Sequence, residues 1–375
     1  MARTVDCLVI GGGLAGAMAG LRLAEAGREV LLVEREPGPR PKVCGEFLSA
    51  ESVGYLRQSG VDPLEHGARH IRMLRFSSGK RVIDAALPFP ALALSRAVLD
   101  EQMLRRAAEH GCELLRGVAI GKLDRKECGW CAYADDGRIV NARNVILASG
   151  KHDLRGWARE AGVQNDLIGF KMRWRLAPAQ AFALAGTIEL VQFAGGYGGL
   201  VEVEDGSANL AMVVRQSMFR KMPGWPGLLA HVRAENGLLD ERLAGATPEW
   251  ERPMAISAIP YGYMARGVDG CWRVGDQVAV IPSFTGDGMA IALHSAALAA
   301  ETLLAGGDVE QYQRMLAWQL QRGMRIATAL SRLMASGAAR WLAPVAMAVL
   351  PLGLRSIARA TRIPRRALLV SGSRA

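Results

Sequence analysis

The chain opens with a short apolar run, a glycine-rich turn and a longer apolar run with helical spacing. Residues 7–10 are Cys-Leu-Val-Ile, glycines follow at 11–13, and an Ala- and Leu-rich segment covers 14–26. The first run predicts a buried strand and the last an apolar helix. A further apolar run over 29–33 ends in Glu34. This order predicts a strand–turn–helix–strand unit with a parallel sheet.

A second segment of similar character lies near residue 280. An apolar run ends at Gly275 and Asp276, and a long Ala-rich helix is predicted to begin near Asp287. Between these segments, residues 71–93 and 169–260 alternate polar and apolar positions and are broken by glycine turns, which predicts antiparallel strands. From residue 309 the pattern is helical to the end of the chain.

The glycines of the first turn have the spacing that a dinucleotide requires. Gly11 makes the tight turn, Gly13 lets a pyrophosphate approach the backbone, and Gly16 lets the helix pack closely on the strand. Glu34 follows Gly16 by 18 residues, where a carboxylate can bind the adenosine ribose. This fingerprint alone does not separate FAD from NAD.

Both fingerprints together resemble the family that includes para-hydroxybenzoate hydroxylase, flavin-dependent halogenases and geranylgeranyl reductases. The resemblance rests on Gly275-Asp276 with its following helix, on Arg96 in the segment LSRAVLDEQ, and on the segment ARNVILASG from Ala142. It implies FAD as the cofactor. It further implies that Asp276 holds a ribityl hydroxyl and that the helix start over 286–289 faces the pyrimidine edge of the flavin.

The predicted fold is therefore α/β, with a Rossmann-like FAD-binding domain, an inserted antiparallel β-sheet substrate domain and a C-terminal helical cap. The predicted ranges are 1–70, 94–165 and 262–308 for the FAD-binding domain, 71–93 and 166–261 for the sheet domain, and 309–375 for the basic, apolar cap. The predicted cofactor-binding residues are Gly11, Gly13, Leu14, Ala15, Gly16, Glu34, Arg35, Cys44, Arg96, Gly150, Gly275, Asp276, Gly286, Asp287, Gly288 and Met289.

Three residues are candidates for catalysis. The segment PKVCGEFLSAE resembles the Cys-Gly signature of geranylgeranyl reductases, which places Cys44 beside flavin and substrate as either a proton donor or a small wall residue. Glu46 is either an acid or base, or a cap for a helix that begins near Ser49. Tyr197 matches part of the reductases' Tyr-x-Trp-x-Phe-Pro stretch, although Gly199 stands where tryptophan is expected. It either lines the substrate cavity or packs in the strand core.

The reaction favoured by these observations is hydroxylation of an apolar or lipidic, phenolic or polyketide-type substrate through a flavin C4a-hydroperoxide. The alternative is reduction of a carbon–carbon double bond in a prenyl or lipid substrate. Halogenation ranks lower because the Trp-x-Trp-x-Ile-Pro signature is missing, and a non-catalytic, membrane-associated flavoprotein ranks last. NAD(P)H is a candidate electron donor, but the aspartate of the hydroxylases' Asp-Gly motif is missing before Gly150.

The net charge of +10 belongs to the C-terminal region. Eleven arginines and no acidic residue follow Glu310, so the rest of the chain is nearly neutral. The apolar run from Trp341 to Leu354 is shorter than the ~20 residues that span a bilayer. Residues 326–366 therefore either bind an anionic membrane surface or form a cap over the substrate cavity.

Other classes of partner and site are not indicated. The tail arginines are interleaved with Ala, Leu and Ile rather than with stacking aromatics, which argues against nucleic acid. The histidines show no paired ligand spacing, and no disulfide framework is indicated. Cys128 and Cys131 form a CxxC pair, but they lie in a predicted strand or hairpin, where positions three apart face opposite sides of the sheet, which argues against a zinc or redox site. The N-terminus carries no signal-peptide pattern. We therefore expect a cytoplasmic enzyme, either free or peripheral on the inner face of the membrane.

Overall fold

The structure is a computed structural model that describes residues 3–267, 269–336, 353, 356 and 358–370. Its first sheet is mainly parallel, with strand order β6-β2-β1-β9-β8-β7 and β17 paired to β9. The strands β1, β2, β6, β9 and β17 run parallel, whereas β7 and β8 form antiparallel pairs. The strands of this sheet are β1 (Arg3–Ile10), β2 (Val30–Glu34), β6 (Glu113–Arg116), β7 (Ile120–Lys126), β8 (Gly129–Ala134), β9 (Ile139–Leu147) and β17 (Trp272–Arg273).

The second sheet has the strand order β14-β10-β13-β12-β11-β4-β5-β3, with β15 paired to β10. Its strands are β3 (Phe47–Leu48), β4 (Arg69–Ser78), β5 (Arg81–Ala93), β10 (Leu167–Arg175), β11 (Thr187–Phe193), β12 (Gly196–Glu202), β13 (Ala208–Arg215), β14 (Thr247–Pro248) and β15 (Met254–Ile256). A short pair, β16 (Tyr263–Met264) and β18 (Ala279–Val280), stands apart.

Two details of the second sheet differ from the expected antiparallel insert. The pair β4–β11 is parallel, and it lies where the two separate chain segments 69–93 and 167–256 of the sheet meet. The sheet also includes β3, which lies between the first two helices in the chain and pairs with β5 through Phe47 and Ala93. The first sheet and its helices, in residues 3–43, 94–147 and 269–308, are called the nucleotide unit. Residues 44–48 run directly from this unit into the second sheet.

The helices cover both sheets. They are α1 (Leu14–Glu25), α2 (Ala50–Gln58), α3 (Arg96–Glu109), α4 (Pro178–Leu184), α5 (Gln216–Phe219), α6 (Gly224–Glu235), α7 (Gly237–Arg242), α8 (Gly288–Leu304) and α9 (Val309–Met334). Short 3-10 turns cover Pro63–His66, Gly275–Gln277, Ser283–Thr285 and Arg365–Ala367.

Alternation along β1 explains how the first sheet is buried. Cys7 and Val9 face the core that contains α1, α8 and α9, whereas Leu8 and Ile10 pack on the opposite side. Small residues let α1 and α8 approach each other, because Ala17, Ala296 and Ala299 are all buried in this core. The two helices that follow the predicted fingerprints are thereby packed side by side, which brings their N-terminal ends to one edge of the sheet.

Candidate active site

The turn between β1 and α1 depends on glycine for steric reasons. Gly11 has a φ of +109°, and a Cβ atom there would lie 2.6 Å from the carbonyl oxygen of Ala148. A Cβ atom on Gly16 would lie 1.8 Å from the carbonyl oxygen of Gly11. Helix α1 begins without a side-chain cap at Gly13. Its first N–H groups, together with the helix dipole, make a site for a diphosphate.

Charged groups around this turn complete a site that fits a dinucleotide. The position of a Gly13 Cβ would be 3.4 Å from Lys42 Nζ and 3.5 Å from Arg96 Nη2. Asp100 balances these cations, since its carboxylate lies 2.9 Å from Lys42 Nζ and 2.7 Å from Arg96 Nε. Glu34 is buried at the end of β2 and accepts a hydrogen bond from Gly12 N (2.5 Å). An uncapped helix start and two cations suit the diphosphate of FAD, and a carboxylate at the strand end suits the hydroxyls of its adenosine ribose.

The second fingerprint touches the first. Gly275 has a φ of +62°, donates its N–H to Ser295 Oγ (2.9 Å), and would place a Cβ atom 3.0 Å from the Cβ of Ala15. Arg159 donates to the carbonyl oxygen of Asp276 (2.9 Å). The close approach of Gly275 to Ala15 brings the two predicted halves of the cofactor site into one place.

The beginning of α8 contains a buried acid. Gly286 has a φ of +72°, and Asp287 follows it at the N-cap position with both carboxylate oxygens buried and without a hydrogen bond among the described residues. Burial raises the pKa of Asp287 to about 7, while Arg362 (Nε to Oδ1, 3.9 Å) opposes the rise. Gly288 would place a Cβ atom in open space. The backbone of this helix start is therefore open at Gly288, whereas Gly286 is packed against the ring of Phe47.

The remaining predicted cofactor residues have various environments. Leu14, Ala15 and Met289 are buried in the core beneath the two helix starts. The carbonyl oxygen of Gly150 accepts from Gln277 Nε2 (2.8 Å), which links the end of β9 to the second fingerprint. Arg35 is half-exposed and lies 3.3 Å from Glu36. Their roles toward FAD stay predictions.

A cavity of about 300 Å³ lies between the second sheet and the segment just before α8. Leu74, Phe76, Ile188 and Leu190 form part of its floor on the sheet. Segments 43–47 and 283–286 form the side toward the nucleotide unit, and 330–334 with 358–362 form a third side. Because most of these side chains are apolar, the cavity suits an apolar molecule.

Cys44 is half-buried on the wall of this cavity, and its backbone is held from three directions. Three successive carbonyl oxygens each accept a hydrogen bond from a distant side chain. The pairs are Lys42 with Lys171 Nζ (3.1 Å), Val43 with Lys151 Nζ (2.5 Å), and Cys44 with Asn209 Nδ2 (3.1 Å). These bonds fix the turn that presents the thiol. The guanidinium of Arg96 interacts with that thiol as well.

Glu46 is fully buried behind this turn, with a φ of +59°. Its carboxylate accepts from Lys171 Nζ (2.5 Å), Arg173 Nη2 (2.7 Å) and the backbone N of Arg96 (3.0 Å). Ser49, rather than Glu46, caps α2 by accepting from Ser52 N. With its carboxylate bound by two cations and the first turn of α3, Glu46 is better placed to position the Cys44 turn than to exchange protons with a substrate.

Tyr197 lines the cavity from β12. Its hydroxyl lies 3.1 Å from Ser331 Oγ, and its ring makes an edge contact with Phe284 (5.9 Å between centroids). Burial raises the pKa of Tyr197 to about 12, so its proton is held more tightly than that of a free phenol. The residue therefore serves as cavity wall and links β12 to α9.

Sequence reasoning missed Lys171, Arg173 and Asn209. Lys171 and Arg173 stand two apart in the strand LIGFKMRWR. Every residue of this strand before Arg175 is either buried or apolar. Cations at alternate positions of a buried strand face the same side and need an acidic partner there. That spacing was the available signal, although it does not reveal that Glu46 is the partner.

The C-terminal region contributes part of the cavity. Leu330, Leu333 and Met334 of α9, with Thr361 and Arg362, line one side. Arg362 also pairs with Glu51 (2.8 Å) and stacks on Phe89. Most of the apolar run 341–354 lies outside the described residues. No helix in the described ranges is long and apolar enough to cross a membrane.

Comparisons with known proteins indicate a protein that binds FAD. Residues 4–177 match the FAD binding domain family. The chain is 28% identical over 358 residues to the menaquinone reductase of Mycolicibacterium smegmatis, covering 88% of this chain and 84% of that protein. It is also 28% identical over 317 residues to digeranylgeranylglycerophospholipid reductase 2 of Methanopyrus kandleri, covering 79% and 76%. The fold is similar to the myxobacterial chondrochloren halogenase CndH, with a TM-score of 0.76, 21% identity and coverage of 96% and 92%.

Proposed function

We propose that this chain, an FAD-dependent oxidoreductase that resembles the geranylgeranyl reductase and flavin hydroxylase superfamily, reduces a carbon–carbon double bond in a prenylated lipid. The observation that carries this proposal is the apolar cavity, which has the Cys44 thiol on its wall and the start of α8 at its edge. Relatives named as menaquinone and digeranylgeranylglycerophospholipid reductases, each matched over most of its length, add support.

The chemistry needs a donor of two electrons and a source of one proton. Reduced FAD, held at the glycine turns of Gly11 and Gly275, would supply a hydride equivalent to one carbon of the double bond, and the other carbon takes a proton. Cys44 is the proposed proton donor, because its thiol is in the cavity and its turn is fixed by the carbonyl contacts described above. Tyr197, with its pKa raised to about 12, orients the substrate rather than supplying the proton.

The proposed reaction needs two reagents from outside the protein. NAD(P)H is the proposed source of electrons for the flavin, and bulk water returns the proton to Cys44 after each turnover. Lys151 is already bound to the carbonyl oxygen of Val43, so it belongs to the Cys44 turn rather than to a site for the nicotinamide phosphate.

Hydroxylation stays the second candidate, since an apolar cavity also favours oxygen chemistry by limiting the water around the flavin. The two reactions are separated by removing oxygen. Photoreduced protein is mixed under nitrogen with a naphthoquinol that carries a prenyl chain, or with a prenyl alcohol, so that only the double bonds of the chain can accept electrons. A reductase is reoxidised by one of these lipids, whose mass rises by two hydrogens. If the flavin stays reduced until air is admitted, and the lipid then gains oxygen, hydroxylation replaces reduction of a double bond as the proposed reaction.

We propose in addition that the outer face of α9 binds an anionic membrane surface, from which a lipid substrate can be taken up. Met315, Trp318 and Leu333 are exposed on this helix. Exposed arginines alternate with them at 314, 322, 325 and 332, and Arg366 stacks over the Trp318 ring. An apolar stripe bordered by arginine is the arrangement that interfacial helices use.

The membrane proposal is tested with Trp318→Ala, using Phe182→Ala as a matched control, since Phe182 is an exposed aromatic on α4 in the other part of the molecule. Sedimentation with vesicles that contain anionic lipid should fall several-fold for Trp318→Ala and stay unchanged for Phe182→Ala. Equal binding by both variants would remove α9 from the membrane interface.

A further inference from the structure

Strand β12 contains three glycines, two of which are required by packing. A Cβ atom on Gly196 would lie 2.2 Å from the carbonyl oxygen of Val213, and one on Gly198 would lie 2.9 Å from the Cβ of Met212. Neighbouring strands therefore come too close at these positions for any side chain. Close approach of this kind is the usual reason for glycine inside a strand.

Gly199 has no such reason. Its backbone does not have a positive φ. A Cβ atom there would meet Leu190 Cδ2 at 3.7 Å and Glu189 O and Ile188 Cδ1 at 3.9 Å, which are ordinary contacts. Glycine weakens a strand because it has more backbone freedom to lose on folding. A glycine that neither conformation nor packing requires therefore has another use.

The space above Gly199 belongs to the cavity. Leu190, Gly199 and Ala211 are directly opposed across β11, β12 and β13, and all three line the cavity. These three residues are partly exposed to the cavity. Their sequence neighbours Val191, Leu200 and Met212 are buried. The missing side chain therefore widens the cavity at one place. Tyr197, two residues earlier on the same face of β12, borders the widened place with its ring.

We propose that Gly199 determines substrate size by admitting a ring that is wider than the prenyl chain carrying it. An extended prenyl chain varies in width only by the methyl branch that repeats on each isoprene unit, so one local widening matters little for it. A flat ring attached to such a chain does need it, and here it would lie beside the aromatic ring of Tyr197. This inference rests on the proposed reduction of a prenylated lipid and narrows its substrate to ring-bearing lipids.

The test compares Gly199→Leu and Gly199→Ala with wild-type protein, all loaded with FAD. Binding is followed by the change in flavin absorbance during titration with two probes, a prenylated naphthoquinone and a prenyl alcohol of equal chain length, in the same detergent. Gly199→Leu should weaken the naphthoquinone about tenfold or more, because filling a packed site costs about that much. The alcohol should change less than about threefold.

Thermal melting separates size selection from a structural role. Gly199→Ala should melt at the same temperature as wild type or roughly 1–3 °C higher, since alanine fits the strand without a close contact. Gly198→Ala is the matched control and should melt lower, because its Cβ atom has no room. A lower melting temperature for Gly199→Ala would assign Gly199 to packing and overturn the inference.

The binding outcomes are equally decisive. Equal loss of both probes in Gly199→Leu, loss of neither, or failure of wild type to bind the naphthoquinone would contradict a ring-selecting role. The proposed reduction fails separately, since a protein that binds the naphthoquinone with the expected preference but never reduces a double bond of its prenyl chain retains the size selection and loses the reaction.

Discussion

The nucleotide unit and the substrate cavity are built in different ways, although they share a border. The nucleotide unit uses backbone geometry: glycine turns, uncapped helix starts and Glu34 at a strand end, all within short stretches of chain. The cavity uses side chains from distant segments, as when Lys171 and Asn209 hold the turn of Cys44. The first region can therefore keep its cofactor while the second changes its substrate, and variants in the two regions should fail in different ways.

The largest expected effect is in the nucleotide unit. Gly16→Val should yield protein without FAD and with a loss of about 4 kcal/mol or more in unfolding free energy, because the Cβ position is 1.8 Å from a carbonyl oxygen. Flavin absorbance of the purified protein and a denaturant titration measure both. Gly267→Ala, whose Cβ would meet open space, is the control. Normal FAD content in Gly16→Val would refute the assigned turn.

The next effect is in the turn of Cys44. Lys171→Met should lower the unfolding free energy by about 3 kcal/mol, because it leaves the buried Glu46 with one cation fewer. Alkylation of Cys44 by iodoacetamide should become faster as the turn loosens. Lys122→Met breaks an exposed pair with Asp124 and should change stability by less than about 0.5 kcal/mol. Similar results for the two lysines would mean that the buried pair does not hold the turn.

A smaller effect depends on pH. The folded pKa of Asp287, about 7, lies above its unfolded value of ~4. The folded protein therefore binds the extra proton between these values, and this contribution to stability is full below pH ~4 and is lost as the pH rises through 7. From pH 5 to pH 7, wild type should lose about 2 kcal/mol more unfolding free energy than Asp287→Asn. Parallel pH profiles for the two proteins would show that the carboxyl is not held neutral.

The same contrast explains what the sequence could predict. Gly11, Gly16, Glu34 and Gly275 lie in local patterns whose geometry follows from a few neighbouring residues, and the structure brings them together as expected. FAD and the α/β fold are likewise confirmed. Hydroxylation is neither confirmed nor contradicted.

The partners of the Cys44 turn could not be predicted in this way. Glu46 meets Lys171 only because the sheet brings β10 against the 42–46 segment, a contact between residues 125 positions apart. Sequence spacing carries no record of such a contact. Likewise, the parallel junction of β4 and β11 lies where two separate segments meet, and no local pattern specifies it.

The most direct test of the proposed reaction is anaerobic reoxidation of the reduced flavin by a prenylated naphthoquinol, whose ring is already reduced, measured side by side in wild type and Cys44→Ala. We expect equal FAD content in both proteins, because Cys44 lies in the cavity region rather than in the glycine turns. Reoxidation should be at least about a hundredfold slower in the variant, which lacks the proposed proton donor. Equal rates would contradict the role of Cys44, and a wild-type flavin that the lipid never reoxidises would contradict the proposed reduction itself.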